Sequence, residues 1–345
     1  MASADVTILG AGVFGLSIAW TCQRRGASVR VIDPGGPGAG ASGGIVGALA
    51  PHVPENWNDK KAFQLESLLM SEAFWAEIET AGKLSSGYGR MGRVQPLLDD
   101  RALELARLRE GGAKALWQEH ATWQVTQTPP GPMTPPSPTG WYVHDTLSAR
   151  LHPRQACQAL SAALRNAGAE VQTDGELSGK VIHATGAMGL IEMSNALDRP
   201  IGNGVKGQAA LLDFDAREGP QLFVNGLHIV PHENGTTAIG STSERDYDAP
   251  DTTDDQLDAL IETACTALPG LQGARVLERW AGLRPRSRSR APILGVHPLR
   301  QGEFIANGGF KIGFGMAPMV ADVMADLVLD ERDRIPDGFK PEASL

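Results

Sequence analysis

Cysteine is scarce in this chain. Cys22, Cys157 and Cys265 are the only three in 345 residues, too far apart for a CxxC metal pair and odd in number, so neither a metal cluster nor a disulfide framework is expected. Such usage fits a reducing cytoplasm. Basic residues are also in deficit: 31 Lys plus Arg against 40 Asp plus Glu give a formal charge of −9, which disfavours capture of nucleic acid or an anionic membrane. A small-molecule partner is the default. Long apolar runs are missing as well. The most apolar early stretch, residues 6–20, contains Gly10, Gly12 and Gly15 and follows no basic segment, so neither a membrane span nor a signal peptide is predicted. None of the eight histidines falls in an HExxH spacing, which removes the zinc-protease reading.

What is present is an ordinary globular composition, 42% hydrophobic and 21% charged, over a length that suggests about two domains. The chain opens as strand, turn, helix, strand. Val6 to Leu9 is apolar and partly β-branched, Gly10-Ala11-Gly12-Val13-Phe14-Gly15 follows, and Leu16, Ala19, Trp20 and Cys22 keep helical spacing to about Arg25. Gly26 suits the left-handed residue after a helix, and Ser28 to Asp33 reads as a second strand. Residues 34–47 are rich in Gly, Ala and Ser, a composition compatible with close approach to a ligand and equally with a flexible loop.

Residues 60–82 and 100–120 read as scaffold helices, and the prolines between Pro129 and Pro138 as a loop or edge excursion. A helix over 153–167 leads to strands at 170–172 and 180–186, the latter ending in a small-residue turn. From Gly207 to Ser243 strands follow one another without helices, which predicts an antiparallel sheet in a second domain. A helix near 253–267, a strand at 303–306, a glycine-rich turn and a helix from about Pro318 to Leu329 complete the pattern. The segments returning from both ends predict two interleaved domains.

Gly10-x-Gly12-x-x-Gly15 between strand and helix is a dinucleotide-binding fingerprint: a tight turn, room for a pyrophosphate at the helix amino terminus, and close packing of helix on sheet. Asp33 lies 18 residues beyond Gly15 at the end of the next strand, where an acid accepts hydrogen bonds from ribose hydroxyls and repels a 2′-phosphate. The fingerprint alone does not separate FAD from NAD.

Further along stand Ala41-Ser42-Gly43-Gly44, Gly47-Ala48-Leu49-Ala50-Pro51, Val181-Ile182-His183-Ala184-Thr185-Gly186-Ala187, Gly207-Gln208, His228-Ile229-Val230-Pro231, Ile239-Gly240-Ser241-Thr242 and Trp280-Ala281-Gly282-Leu283-Arg284-Pro285. With the fingerprint, their order and spacing resemble the D-amino-acid oxidase, glycine oxidase and sarcosine oxidase family, glycine oxidases most closely. The resemblance spans nearly the whole chain and implies an α/β architecture, with a Rossmann-type FAD-binding domain interleaved with an antiparallel-sheet α+β substrate domain. The expected boundaries are 1–55, 146–200 and 284–345 for the FAD-binding domain and 56–145 and 201–283 for the substrate domain, the first of these carrying a helical scaffold.

By the same resemblance, Gly10, Gly12, Val13, Phe14, Gly15, Asp33, Ser42, Gly43, Leu49, Val171, Thr185, Gly186, Gly308, Gly309, Phe310, Lys311 and Ile312 form the cofactor site, and Arg284 holds a substrate carboxylate. A guanidinium suits that task because it grips a carboxylate through two parallel hydrogen bonds. Arg286, Arg288 and Arg290 read instead as a solvated stretch. The chain departs from glycine oxidases in three places: His228 replaces a tyrosine, Lys311 replaces a second arginine, and Ser289 replaces an aspartate. Three roles are open to His228: donor to a substrate carboxylate, base, or space-filler on the sheet. Lys311 is a second cation, an attractor of reduced oxygen, or an exposed turn lysine. Cys265 falls on a helix, so non-covalent FAD is expected.

The implied activity is oxidation of the C–N bond of a small amino acid or secondary amine by hydride transfer to FAD, with dioxygen or another electron acceptor completing turnover. A dehydrogenase using a carrier and a non-catalytic flavin-binding subunit are the alternatives. A homo-oligomer is compatible with either.

Overall fold

A computed structural model describes residues 3–345. The opening strand Val6–Leu9 is nearly all buried, and the helix Val13–Arg24 packs its Leu16, Ile18, Ala19 and Cys22 into the same core. Gly26 adopts φ +91°, and Ala27 N–H reaches back to Cys22 O at 3.2 Å, closing the helix end as a left-handed cap does.

Val6–Leu9 lies at the centre of a six-stranded sheet. Its neighbours are Val29–Ile32 and Lys180–His183, both parallel to it; Glu170–Gln172 flanks the former and Phe304–Asn307 the latter, and Ile293–Val296 closes the far edge antiparallel. Three distant chain segments therefore meet in one sheet, as expected for an interleaved α/β chain. The helices Val13–Arg24, Asp59–Gly82, Pro153–Asn166 and Gly313–Asp330 share its main core.

The second sheet has eight strands. In spatial order they are Val276–Ser287, Gly202–Leu212, Thr237–Gly240, Leu227–Pro231, Gln221–Val224, Arg93–Pro96, Tyr142–Asp145 and Trp123–Thr126. Every neighbouring pair is antiparallel except Gln221–Val224 with Arg93–Pro96, a parallel exception to the expected pattern. Three strands thus come from the stretch read as helical scaffold, because four-residue strands between helices carry too little alternation to stand out. The helix Asp255–Ala267 covers the sheet, with Leu257, Leu260 and Ala264 packed with Leu212, Leu222, Ile229 and Ile239.

Two further elements differ from expectation. The turn after His183 continues into a helix, Gly186–Ala196. The final helix starts at Gly313 and not Pro318, which sits inside it. A proline in the sixth position costs one intrahelical bond, and the surrounding buried Met316, Ala317, Met319 and Val320 hold the turn in place. No helix among the described residues is long and apolar enough to cross a membrane.

The glycines of the first turn are fixed by contact. A Cβ on Gly15 would stand 1.9 Å from Gly10 O and 3.3 Å from Ala184 Cβ, and one on Gly10 would stand 2.3 Å from Ala184 O. Gly15→Ala is expected to push the first helix off the sheet at a cost of more than about 2 kcal/mol. Chemical denaturation checks this, and a midpoint equal to that of the native sequence would refute the close-packing account.

Candidate active site

The glycine turn opens onto a cavity of about 1090 Å³ between the two sheets. Gly10, Gly12, Val13, Phe14, Asp33, Ser42, Thr185 and Gly186 line one end, from the carboxyl ends of the parallel strands and the loops that follow them. Trp280 to Pro285, His228, Phe223 and the turn Gly309-Phe310-Lys311 line the other. Gly15, Gly43, Leu49, Val171, Gly308 and Ile312 are not on the wall. Gly15 and Gly43 are backing positions where backbone approaches backbone: a Cβ on Gly43 would lie 2.1 Å from Gly38 O. Val171 pairs with Val31 on the edge strand, and Gly308 takes φ +78° to turn the chain into the wall.

At the first end, Asp33 Oδ2 accepts from Ala11 N at 2.7 Å and Oδ1 from Gly35 N at 2.9 Å, fixing the carboxylate at the end of its strand. Each oxygen keeps a further lone pair for a hydroxyl donor. Ser42 Oγ accepts from Val13 N at 3.0 Å, which ties the Gly/Ala/Ser-rich loop to the start of the first helix. That loop is therefore part of the wall and not a flexible excursion. Asn307 donates from Nδ2 to Gly186 O (2.9 Å) and accepts from Gly308 N (2.7 Å), bracing the two glycine turns against each other.

At the other end, the wall residues Trp280 to Pro285 are set by the register of Val276–Ser287 against Gly202–Leu212, which runs in step from Gly202 to Leu211 and shifts only at Leu212. Arg284 pairs opposite Val205, and its guanidinium lies across Gly207, where a Cβ would sit 1.8 Å from Nη1 and 2.0 Å from Nη2. Glycine at 207 thus makes the space the guanidinium occupies. Its one hydrogen bond among the described residues runs from Nη1 to Thr242 O at 3.3 Å, which leaves donors of its fork free toward the cavity. Arg284 is half-buried because it faces the cavity. Desolvation brings its pKa down to about 10, opposed by the nearby charge of Glu244.

His228 stands on Leu227–Pro231 with its ring 4.8 Å from that of Phe223, and its Nδ1 is buried without a partner. Burial, with the charges of Arg93 and Lys311, drives its pKa down to about 3, so the ring is neutral at ordinary pH. Lys311 is exposed toward the opening; its pKa falls through desolvation and then through the charge of Arg284. Phe310 has φ +43°, and its N–H bonds to Pro285 O at 3.0 Å, so the turn bearing Lys311 is fastened next to Arg284. Arg286, expected on a solvated stretch, is half-buried with its guanidinium 5.8 Å from the Phe310 ring. Arg288 and Arg290 are exposed, as expected. Ser289, one of the three departures noted from the sequence, accepts from Ala291 N at 3.3 Å and from Ser344 Oγ at 3.0 Å, a neutral closure of the loop.

Sequence reasoning missed Phe223, Gly226, Met188, Glu192 and Pro153 on the wall. They arrive from elements whose spatial neighbours are set by long-range pairing, and none carries a local motif.

A glycine turn at a helix amino terminus, a fixed acid after the next strand, and a guanidinium at the far end of one continuous cavity define a dinucleotide-dependent enzyme of the flavoprotein type. The chain belongs to the family described as FAD dependent oxidoreductase, DAO, whose model matches residues 5–327. It is 28% identical over 380 residues to the glycine oxidase of Pseudomonas putida, covering 99% of this chain and 100% of that protein. It is 26% identical over 355 residues to the bifunctional protein ThiO/ThiG of Trichormus variabilis, covering 95% of this chain; the chain spans about half of that relative's length, 53%. The solved glycine oxidase of Geobacillus kaustophilus superposes with TM-score 0.82 at 20% identity over 98% of each chain, which shows the shared fold. The cofactor is FAD. The cavity fits it: the volume slightly exceeds the roughly 300–1,000 Å³ common for ligand sites, as a large dinucleotide plus a substrate requires, and Gly10 and Gly12 leave backbone bare where a pyrophosphate needs it.

Two outcomes follow from this geometry. Gly207→Ala should displace the Arg284 guanidinium, a flexible end that can move, and so weaken binding of a carboxylate ligand such as acetate by roughly 10-fold or more while leaving thermal stability close to native. Titration of the flavin spectrum checks it, and unchanged acetate affinity would refute it. Second, His228 and His232, both near pKa 3, and His297, near 4, stay neutral in the folded protein while the unfolded chain protonates its histidines below about 6.5. Stability contributed by these rings is intact above pH 6.5 and is lost as pH falls, at about 1.4 kcal/mol per pH unit for each. Unfolding free energies from pH 7 to 5 test this, with His228→Asn expected to reduce the slope by one histidine's share.

Proposed function

We propose that the protein oxidises the C–N bond of a small amino acid or secondary amine, glycine, sarcosine or a D-amino acid in type. The observation that carries this is Arg284, a guanidinium desolvated at the far end of the cavity with donors unspent. Two parallel N–H bonds to a carboxylate fix both the position and the rotation of the substrate, leaving its α-carbon as the atom presented to the cofactor. When bound, FAD supplies the two-electron acceptor for the α-hydrogen, and its electrons pass on to dioxygen or another acceptor.

The substrate gives up a hydride from carbon and a proton from nitrogen as a C=N bond forms. Water then adds to that bond and releases an oxo acid and the amine. His228, neutral and without a partner at Nδ1, can hydrogen-bond a polar group of the substrate but carries no charge to compete for the carboxylate. The eight-stranded sheet and Trp280 screen the reacting carbon from bulk water, which strengthens the Arg284 contact. At the other end, Asp33 and Ser42 with the glycine turn would hold the ribose and phosphates. None of the described cysteines lines the cavity, in keeping with non-covalent FAD.

Arg284→Ala should raise KM for carboxylate-bearing amines by roughly 100-fold with a smaller fall in kcat, and Arg284→Lys should recover only part of the loss. Anaerobic bleaching of the flavin by glycine, sarcosine and both enantiomers of alanine is the measurement. Absence of bleaching by any of them, or kinetics indifferent to Arg284, would overturn the reading. Peroxide yield against dye reduction identifies the acceptor.

A further inference from the structure

The substrate end of the cavity carries more positive charge than one carboxylate can balance. Arg284 and Lys311 line the cavity, and Arg286, two residues beyond Arg284 on the same face of Val276–Ser287, stands behind the wall against the Phe310 ring. Phe310 gathers the group: its ring has the Arg286 guanidinium at 5.8 Å and the Lys311 ammonium at 5.8 Å, and its N–H ties the turn to Pro285 O. Among the described residues, none of the three forms an ion pair with a carboxylate. Glu244, the acid whose charge reaches Arg284, is already engaged by Lys206, Gln208 and Thr242. Of the three acids on the cavity wall, Asp33 is held at the glycine-turn end by Ala11 N and Gly35 N, and Glu192 and Asp251 are exposed and pair with neither Arg284 nor Lys311.

Partly desolvated cations without counter-ions repel one another, and an arrangement of this kind is stabilised when anions enter. One carboxylate on Arg284 leaves Lys311 and Arg286 unbalanced. We propose that the site is built for an amine substrate bearing two carboxylates, an amino-dicarboxylic acid or an N-carboxymethyl amino acid, whose first carboxylate is held by Arg284 and whose second is met by Lys311 with Arg286 behind it. This deepens the reading of the site given above and rests on Arg284 anchoring the first carboxylate. The second carboxylate takes no part in bond making: hydride and proton leave from the C–N unit, and the distal group contributes binding and orientation alone. Lys311 is thus a specificity-determining residue. Its ammonium, a compact charge on a flexible stem, tolerates distal carboxylates at more than one distance where an arginine fork would demand one geometry.

Matched pairs test this with the holoenzyme: iminodiacetate against sarcosine, and each enantiomer of aspartate against the same enantiomer of alanine. The dicarboxylate member that reacts is expected to exceed its partner in kcat/KM by about 10-fold or more, the usual worth of one added charge-assisted contact. Lys311→Met should erase most of that advantage, mainly through KM, and Lys311→Arg should restore part of it. Succinate and acetate, which cannot be oxidised, supply a second readout through perturbation of the flavin spectrum: succinate should bind more tightly, and Lys311→Met should bring the two together. Equal or better turnover of the monocarboxylates, or equal loss of both classes in Lys311→Met, overturns the proposal. If no amine reduces the flavin, the oxidase reading fails by itself; the dianion site then stands on succinate binding more tightly than acetate and falls if it does not.

Discussion

The whole arrangement depends on a contact between backbones. Gly10 and Gly15 let the first helix and the end of the first strand come within contact distance of Ala184, so three parallel strands finish at one level and the helix amino terminus faces the same space. A side chain at either glycine would collide with a carbonyl oxygen, an atom that cannot swing aside. The lining of the cavity's glycine-turn end follows: Asp33 finishes the neighbouring strand, Ser42 bonds the first helical N–H, and Asn307 braces Gly186 against Gly308.

The Arg284 end depends on a different constraint, strand register. Eleven residues of Gly202–Leu212 run opposite Val276–Ser287, and this alignment decides that Arg284 meets the gap left by Gly207 while Trp280 lies over Gly282. A shift of one residue would turn Arg284 away from the cavity. The two ends obey separate rules, turn chemistry at one and register at the other, and they meet through the turn at Gly309 and Phe310.

Those rules explain what could be read from the sequence. The βαβ start, Gly26, Asp33 and the run of strands after Gly207 are signals of local period and turn type, and each was legible. Arg284 was expected in the pocket through family resemblance, and the structure puts it on the cavity wall. The strands Arg93–Pro96, Tyr142–Asp145 and Trp123–Thr126 were not, since four residues carry little alternation and their partners lie far along the chain. The helix Gly186–Ala196 was hidden by its glycine start, and Gly313–Asp330 by a proline that usually marks a first turn. Arg286 was read as solvated because its half-burial comes from Phe310, a residue of another segment.

The bond from Phe310 N–H to Pro285 O joins the Gly309–Lys311 turn of the cavity wall to the strand that carries Arg284. The two surfaces are consequently one mechanical body. Side chains at 228, 286 or 311 can therefore be exchanged without moving the backbone that carries them, whereas reshaping the Gly308–Ile312 turn would shift both walls of the cavity at once.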